Sequence, residues 1–172
     1  MNKYLILLFI TFTLLVSCGG SNQGVEKQLT SPNQTKSQDI EAQNLEKDWV
    51  EFKIKAVGNT MSDMKFDIEN IQVNEGSWVR IILINEGEQI AMQHNIVFVN
   101  YGARKEVATQ AINVGPSMKY VPRNENIIAS SDLAQPGETI TLEFKAPKKG
   151  NYEYVCTYPG HSESMRGYFI VK

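Results

Sequence analysis

The sequence predicts an all-β fold, a Greek-key β-sandwich or barrel with one short inserted helix. Three observations predict it. Beyond residue 48, short runs of β-branched and aromatic residues recur, and many of them alternate apolar with polar side chains. Turn-forming sequences such as Asn74-Glu75-Gly76 and Gln135-Pro136-Gly137 separate several of these runs. Only residues 103–112 have the pattern of a helix, and many short strands at this spacing are typical of sandwiches and barrels.

Each predicted strand is a run with period-two or continuous apolar character. The runs at 49–56 and 78–85 both begin with a tryptophan and continue with β-branched residues, and the run at 150–156 leads from a Pro-Lys-Lys-Gly turn to Cys156. The eight predicted strands are residues 49–56, 65–73, 78–85, 94–100, 126–130, 139–144, 150–156 and 167–171. The predicted helix lies between the fourth and the fifth of them.

The N-terminus has the pattern of a targeting segment. A basic start at Lys3 precedes an apolar run over residues 4–16, which is too short to cross a bilayer, since that takes about 20 residues. The run has the length of a signal-peptide core, and it ends Leu15-Val16-Ser17-Cys18. This ending resembles the cleavage site of bacterial lipoproteins, which implies a signal peptide over residues 1–17 and a lipidated Cys18. The alternative is an ordinary secretory peptide that ends at a cysteine by chance.

Residues 18–48 are rich in Gly, Ser, Asn, Gln, Lys and Glu and show no hydrophobic periodicity. Such a segment cannot bury enough apolar surface to order itself, so we predict a flexible linker with a root-mean-square reach of roughly 30 Å. The predicted organisation is therefore a signal peptide, a lipidated cysteine with a linker, and one domain over residues 49–172. We expect an exported protein that is lipid-anchored to the cell envelope, on the periplasmic or cell-surface side of a bacterial membrane.

Composition excludes several classes of protein. Hydrophobic residues make up 42% of the chain and charged residues 21%, which is typical of a folded globular protein and not of a disordered one. The 17 basic and 19 acidic side chains nearly cancel and no basic cluster stands out in the sequence, so electrostatic binding of nucleic acid is not expected. The two cysteines are Cys18 and Cys156, and lipidation of Cys18 leaves no pair for a disulfide.

Residues with metal-ligand chemistry gather near the C-terminus. Cys156, His161 and Met165 lie within ten residues of one another between two predicted strands, and His94 opens an earlier strand. Two imidazoles and one thiolate in a trigonal arrangement, with a weak axial thioether, suit copper, because sulfur favours Cu(I) and nitrogen tolerates Cu(II). Singly, each of these residues is more often a structural core residue. Together they use the only cysteine and the only two histidines of the predicted domain, so the pattern predicts a metal site.

Three motifs carry a resemblance to a known family. Gln93-His94-Asn95 is followed by a valine-rich strand and Asn100-Tyr101-Gly102, and the run Pro-Lys-Lys-Gly-Asn-Tyr-Glu-Tyr-Val leads to Cys156. The loop itself is Cys156-Thr-Tyr-Pro-Gly-His161, with three residues between His161 and Met165. In these motifs the sequence resembles the blue copper proteins, or cupredoxins, and among them the azurin and auracyanin branch. The resemblance covers residues 66–172.

The resemblance implies a site for one type 1 copper ion. The implied ligands are the equatorial His94, Cys156 and His161 and the axial Met165. Backbone amides of Asn95 and Tyr158 would donate hydrogen bonds to the Cys156 sulfur and so tune the reduction potential. Gln93 stands where azurin has a glycine whose carbonyl lies weakly on the second axial side, so its side chain would change that contact. Azurin also has a disulfide that this chain cannot form.

The leading prediction for function is a one-electron carrier between redox partner proteins, such as cytochromes or membrane oxidoreductases, and not an enzyme. In the family the electron passes through the histidine that corresponds to His161, inside an apolar surface patch to which Met92, Pro159 and Gly160 would contribute. A copper chaperone or storage lipoprotein stays open as an alternative, as does a Cys–His enzyme with Cys156 as nucleophile. A copper enzyme with a second metal site is excluded because the sequence holds no further histidines.

Overall fold

The structure, a computed structural model, describes residues 48–172. The predicted signal peptide, the predicted lipidation site Cys18 and residues 18–47 of the predicted linker lie outside the described residues. In the described part of the chain, two β-sheets pack against each other across a shared core, and one α-helix lies beside them. The predicted all-β fold with a single inserted helix is confirmed.

The elements of residues 48–172 follow the predicted order, with ends that differ by a few residues in most cases. In chain order they are β1 (Trp49–Val57), β2 (Lys65–Phe66), β3 (Asn70–Val73), β4 (Trp78–Asn85), β5 (Val97–Asn100), α1 (Arg104–Val114), β6 (Ile127–Ser130), β7 (Thr139–Lys145), β8 (Gly150–Val155) and β9 (Arg166–Val171). A single 3-10 turn at Pro116–Met118 follows α1. None of the helices within these residues is long and apolar enough to cross a membrane.

The strands form one sheet of four and one sheet of five. The first has the order β2-β1-β4-β7, with β1 parallel to β4 and the other neighbours antiparallel. The second has the order β3-β9-β8-β5-β6, with β3 parallel to β9 and the other neighbours antiparallel. Helix α1 covers the outer face of the second sheet, where Val107 packs with Val97, Val99 and Val155. The loops at the ends of these strands therefore emerge from two packed sheets, the second of which is also covered by the helix.

Two predicted strands are wrong in their extent. The run at 65–73 is not one strand, because β2 pairs with β1 in the first sheet and β3 pairs with β9 in the second. Between them the backbone N–H of Lys55 donates to Asp67 Oδ1 at 2.7 Å, and the Tyr154 hydroxyl donates to the Ile68 carbonyl. These bonds satisfy polar groups while the chain crosses from one sheet to the other.

The run at 94–100 also differs from its prediction, because strand β5 begins only at Val97. His94 forms a single isolated bridge with Ala134 instead of a ladder. The Ser131 hydroxyl accepts a hydrogen bond from the Ile96 backbone N–H at 3.0 Å, so a side chain takes the place of a strand partner there. His94 thus lies just before the N-terminal end of β5 and is not part of the ladder.

Phe98 lies at the centre of the core between the two sheets. Its ring centroid is 4.8 Å from that of Phe144, 5.0 Å from that of Phe169 and 5.6 Å from that of Tyr154. Burial of one such side chain stabilises a fold by about 1.5 to 3 kcal/mol. This packing fixes the position of β8, so Cys156, which follows β8 directly, leaves the second sheet at a defined point.

The close approach of β8 and β9 gives a prediction for Gly167. A Cβ at this position would collide with the Tyr154 ring and lie 2.5 Å from the Glu69 carbonyl oxygen. We expect Gly167→Ala to lower the free energy of unfolding by about 1 to 3 kcal/mol, because overpacking forces backbone shifts. The control is Gly150→Ala, whose Cβ would lie 3.4 Å from the Tyr152 ring. Urea unfolding measures both, and equal effects of the two substitutions would contradict this account.

Candidate metal centre

The loop from Cys156 to Met165 is closed on itself by backbone hydrogen bonds. The Cys156 backbone N–H donates to the Met165 carbonyl at 2.9 Å, which continues the pairing of β8 with β9 into the loop. Inside the loop, the His161 N–H donates to the Tyr158 carbonyl at 3.0 Å, and the Met165 N–H donates to the His161 carbonyl at 2.9 Å. These bonds fix the directions in which the Cys156 and His161 side chains leave the backbone.

His94 reaches the loop from a separate part of the chain. Its backbone exchanges two hydrogen bonds with Ala134, at 3.1 and 2.8 Å. The buried Asn85 side chain donates to the carbonyls of both Met92 and Ala134, at 2.7 and 3.1 Å. Asn85 ends strand β4, so the segment that carries His94 is tied to the first sheet as well as to the second.

The three predicted equatorial ligands meet in one buried cluster. The Cys156 Sγ atom is 3.8 Å from His94 Nδ1 and 3.8 Å from His161 Nδ1, and the two Nδ1 atoms are 3.2 Å apart. All three side chains are at most 1% exposed. Their ligand atoms form the one group of at least three His, Cys, Asp or Glu residues among residues 48–172 that could hold a metal ion.

The spacing of the three atoms fits a metal ion. The centre of the triangle that they define lies about 2.1 Å from each atom, within the range of about 2.0 to 2.3 Å that nitrogen and sulfur ligands keep to an ion such as Zn²⁺. Sulfur and imidazole donors together favour a soft or borderline transition metal over Mg²⁺ or Ca²⁺. His94 Nε2, on the far side of its ring, is buried and has no hydrogen-bond partner among residues 48–172.

Burial sets the protonation of the cluster. Loss of solvation raises the pKa of the Cys156 thiol to about 12, although hydrogen bonds from the backbone amides of Asn95 and Tyr158 act in the opposite direction. Loss of solvation, together with the charge of His161, lowers the pKa of His94 to about 3. Burial likewise lowers the pKa of His161 to about 4. At neutral pH both imidazoles are therefore neutral and able to bind a metal, whereas the thiol has to lose its proton first.

A hydrogen-bond network joins Asn95, which follows His94, to Thr157, which follows Cys156. Asn95 Oδ1 accepts from the Thr157 backbone N–H at 2.8 Å, and Asn95 Nδ2 donates to Thr157 Oγ1 at 2.8 Å. The Thr157 hydroxyl in turn donates to the Tyr120 carbonyl at 2.6 Å. Lys119 and Tyr120 both have left-handed backbone angles, with φ of 51° and 57°, a conformation that costs energy and is common at functional sites.

Helix α1 is tied to the loop by a buried arginine. Arg104 Nη1 donates to the Ser162 carbonyl at 2.8 Å, directly after His161. The Arg104 Nε atom is 3.7 Å from Glu153 Oε1, and Glu153 Oε2 accepts from the Gly102 N–H at 2.8 Å. Arg104 and Glu153 are 8% and 9% exposed, and Arg104 Nη1 also lies 3.5 Å from Glu163 Oε1. Removal of Arg104 would therefore leave the buried Glu153 carboxylate without its counter-ion.

Sequence reasoning missed Thr157, Tyr120 and Arg104. Their types are ordinary on a surface, and only the fold shows that they bond to the segments around the cluster. The one signal in the sequence was the position of Arg104 at the N-terminus of the predicted helix. A cation there interacts unfavourably with the helix dipole, so its presence indicates that the side chain has another role.

The remaining predicted residues are all at least half-buried or lie in the ligand loop. Met165 is fully buried at the end of the loop, and Gln93 is half-buried directly before His94. Met92 is only 3% exposed, so its predicted contribution to a surface patch is wrong. Met61 takes that place, since it is 53% exposed and its side chain lies against Gly160. The loop that carries Met61 gave no sequence signal for this contact.

The sequence matches the family of copper-binding proteins of the plastocyanin/azurin type over residues 50–172. The chain belongs to this family. Auracyanin-A of Chloroflexus aurantiacus is 35% identical over 118 residues, which are 67% of this chain and 72% of that protein. Azurin-2 of Alcaligenes xylosoxydans xylosoxydans is 26% identical over 111 residues, which are 60% of this chain and 86% of that protein.

A solved structure gives the same assignment. Auracyanin A, described as a "blue" copper protein from Chloroflexus aurantiacus, has a TM-score of 0.65 with this chain at 34% identity, over 72% of this chain and 99% of the other. The predicted resemblance to the azurin and auracyanin branch is confirmed. For a cupredoxin, the cluster of two imidazoles and one thiol fits one type 1 copper ion.

The lowered histidine pKa values predict that the metal-free cupredoxin loses stability in mild acid. Between pH 6.5 and about 4 the unfolded chain binds protons on histidines that stay neutral in the folded protein, so the free energy of unfolding falls as the pH falls. Above pH 7 this contribution is constant. Urea unfolding of the metal-free protein at pH 7, 6 and 5 measures the effect.

The control for this prediction is His94→Gln, which keeps every carboxyl group and removes one of the two histidines. Its unfolding free energy is expected to depend on pH about half as strongly as that of the wild type over the same range. A wild type and a variant with equal pH dependence would contradict the assignment of the effect to the buried imidazoles.

Proposed function

We propose that the protein is a type 1 copper protein that carries single electrons between redox partners at the cell envelope. The observation that carries the proposal is the buried cluster of His94, Cys156 and His161 in a chain of the plastocyanin/azurin family. A copper ion in such a site supplies the one-electron chemistry by changing between Cu(I) and Cu(II). The protein is proposed to act as a carrier and not as an enzyme.

His94, Cys156 and His161 are proposed as equatorial ligands, with Met165 as a weak axial ligand. Thiolate sulfur suits Cu(I) and imidazole nitrogen suits Cu(II), so neither oxidation state is strongly preferred. The amides of Asn95 and Tyr158 restrain the sulfur by hydrogen bonds, which also lower its electron density.

Electron exchange is proposed to pass through His161. Its ring lies 4.7 Å from the Tyr158 ring, and the loop next to it presents Gly160 and Pro159 at the surface beside the exposed Met61. A small apolar area of this kind suits brief encounters with redox partner proteins, which use interfaces at the low end of the size range. Cytochromes and membrane oxidoreductases are the proposed partner classes.

The alternatives fit the geometry less well. A chaperone or store has to release its metal, but the three side chains are buried and held by bonds from both sheets. A Cys–His enzyme needs a third group that orients the histidine, and among residues 48–172 no carboxylate joins the cluster. A thiol whose pKa is raised to about 12 is also a poor nucleophile at neutral pH.

Export and lipid anchoring through Cys18 belong to the same proposal. They are supported by the apolar run at 4–16 and by the ending Leu15-Val16-Ser17-Cys18. With cleavage before Cys18, about 30 residues would link the anchor to strand β1. The copper domain would then work close to a membrane without leaving it.

The test of copper–thiolate binding is Cys156→Ser. The wild-type protein with Cu(II) is expected to show an intense absorption band in the red that reductant bleaches, and Cys156→Ser should lose it because oxygen replaces the sulfur donor. The control is Cys18→Ser, which changes the other cysteine of the chain and should keep the band. A band of undiminished intensity in Cys156→Ser would refute the copper–thiolate assignment.

The axial role of Met165 predicts opposite shifts in reduction potential. Met165→Leu removes a donor and makes the site drier, which disfavours Cu(II) and raises the potential. Met165→Gln supplies an oxygen donor that favours Cu(II) and lowers it. Met165→Leu should reduce the free energy of unfolding by no more than about 1.5 kcal/mol. Met165→Gln buries an amide at a fully buried position, so it should cost the metal-free protein more than Met165→Leu does.

Voltammetry measures the potentials, and Met92→Leu is the control, because Met92 is also buried but has no proposed ligand role. Its potential should equal that of the wild type. If both Met165 variants shift in the same direction, or if neither shifts, Met165 is a core residue and not an axial ligand.

A further inference from the structure

The end of the domain opposite the metal centre is distinguished by its tryptophans and lysines. Strand β4 runs from Trp78 to Asn85, and Asn85 contacts the segment that carries His94. Trp49 pairs with Trp78 in the parallel register of β1 and β4, so both tryptophans of the chain lie at the far end of the first sheet. An eight-residue strand spans roughly 26 Å, which separates this end from the metal centre.

Four exposed lysines meet at the same end although they are distant in sequence. The Lys149 backbone N–H donates to Glu75 Oε2 at 2.8 Å, and the Glu75 N–H donates to the Lys172 carbonyl at 2.9 Å. Lys145 pairs with Trp78 across β7 and β4. We call this end the basal face. Its residues are Trp49, Trp78, Lys145, Lys148, Lys149 and Lys172.

The aromatic part of the basal face is held in place by cations. The two tryptophan rings are 5.7 Å apart and tilted by 60°. The Arg80 guanidinium lies 4.5 Å from the centre of the Trp49 ring, and the Lys145 ammonium lies 5.9 Å from the centre of the Trp78 ring. Tryptophan beside lysine and arginine is the combination that is enriched where proteins meet the headgroup layer of a membrane.

The charge of the basal face differs from that of the remaining surface. Four lysines and Arg80 lie at this end together with the carboxylates of Asp48 and Glu75 and with Glu51 and Glu143, the two ion-pair partners of Arg80. Five positive and four negative side chains leave an excess of one positive charge there. Elsewhere in residues 48–172 acidic side chains outnumber basic ones. The domain is therefore polarised, with its positive end where strand β1 begins and where the N-terminal segment joins.

We propose that the basal face docks on an anionic phospholipid surface, with the tryptophans at headgroup level and the lysines on lipid phosphates. The proposal rests on the proposed membrane anchor at Cys18 but not on the metal or its chemistry. A linker of about 30 residues keeps the face near the membrane, so weak contacts suffice for docking. Docked in this way, the domain presents its metal end away from the lipid, to partner proteins whose docking surface lies in the aqueous phase.

Intrinsic tryptophan fluorescence tests the proposal directly, because Trp49 and Trp78 are the only tryptophans of the chain. The full lipidated chain is placed on vesicles of phosphatidylcholine with brominated acyl chains, with or without 30% phosphatidylglycerol. Matched vesicles without bromine correct for quenching by copper. We expect bromine quenching on the anionic vesicles, little on the neutral ones, and its loss in 1 M salt, where the Debye length is about 3 Å.

Two double variants that remove the same net charge distinguish an effect of the basal lysines from an effect of the overall charge. Lys148→Gln with Lys149→Gln is expected to weaken docking about 25-fold, since each lysine near an anionic surface contributes about fivefold. Lys53→Gln with Lys65→Gln removes the same charge from exposed positions nearer the middle and the far end of β1 and should leave the quenching unchanged. Circular dichroism checks that both double variants are folded.

Three results would overturn the proposal. Equal quenching on neutral and anionic vesicles would show that lipid charge does not drive docking. Equal loss of quenching in the two double variants would show that the basal face is not the docking surface. Protein that sediments with vesicles but shows no quenching on either composition would be anchored only by its lipid. The absorption of the copper site in the same samples reports the metal centre separately, so failure of docking and failure of the proposed electron-carrier function are distinguishable.

Discussion

Three side chains that could together hold a metal ion are buried in contact with one another, and the fold around them has to keep them there. His94, Cys156 and His161 bring three polar groups within 3.2 to 3.8 Å while hardly any of their surface reaches water. Burial of polar groups without full hydrogen bonding is unfavourable, and it keeps both imidazoles neutral and the thiol protonated. A metal ion held by these three residues in place of the thiol proton would relieve this cost, so that its binding free energy would add to the free energy of folding.

The surrounding fold supplies the rigidity that such a cluster requires. His94 and Cys156 are 62 residues apart in sequence, and Asn85, Asn95 and Thr157 bond the segments around them to both sheets and to each other. Arg104 adds a bond from helix α1 to the carbonyl that follows His161. Because these bonds do not involve the three side chains of the cluster, they would not have to change if a copper ion bound there changed its oxidation state. A site that changes little between the two states is suited to rapid electron transfer.

Most strands and the three residues of the candidate metal site could be predicted from the sequence, because the patterns that indicate them lie within short stretches of the chain. The ligand loop places three donor types within ten residues, and most strands follow from alternating apolar residues. The split between β2 and β3 was missed, although apolar positions 66 and 68 change parity to 71 and 73 at the crossing. Arg104 with Glu153, Met61 beside Gly160, and the basal lysines depend on contacts between distant segments. Local patterns carry no information about such contacts.

The proposed site holds one copper ion through two nitrogen atoms and one sulfur atom, and it is proposed to stay the same in both oxidation states. X-ray absorption at the copper edge, on the same preparation oxidised and then reduced, tests it most directly. We expect two nitrogen ligands and one short sulfur ligand in both states, with nearly unchanged distances. Loss of a nitrogen or of the sulfur on reduction, or a change in coordination number, would contradict it.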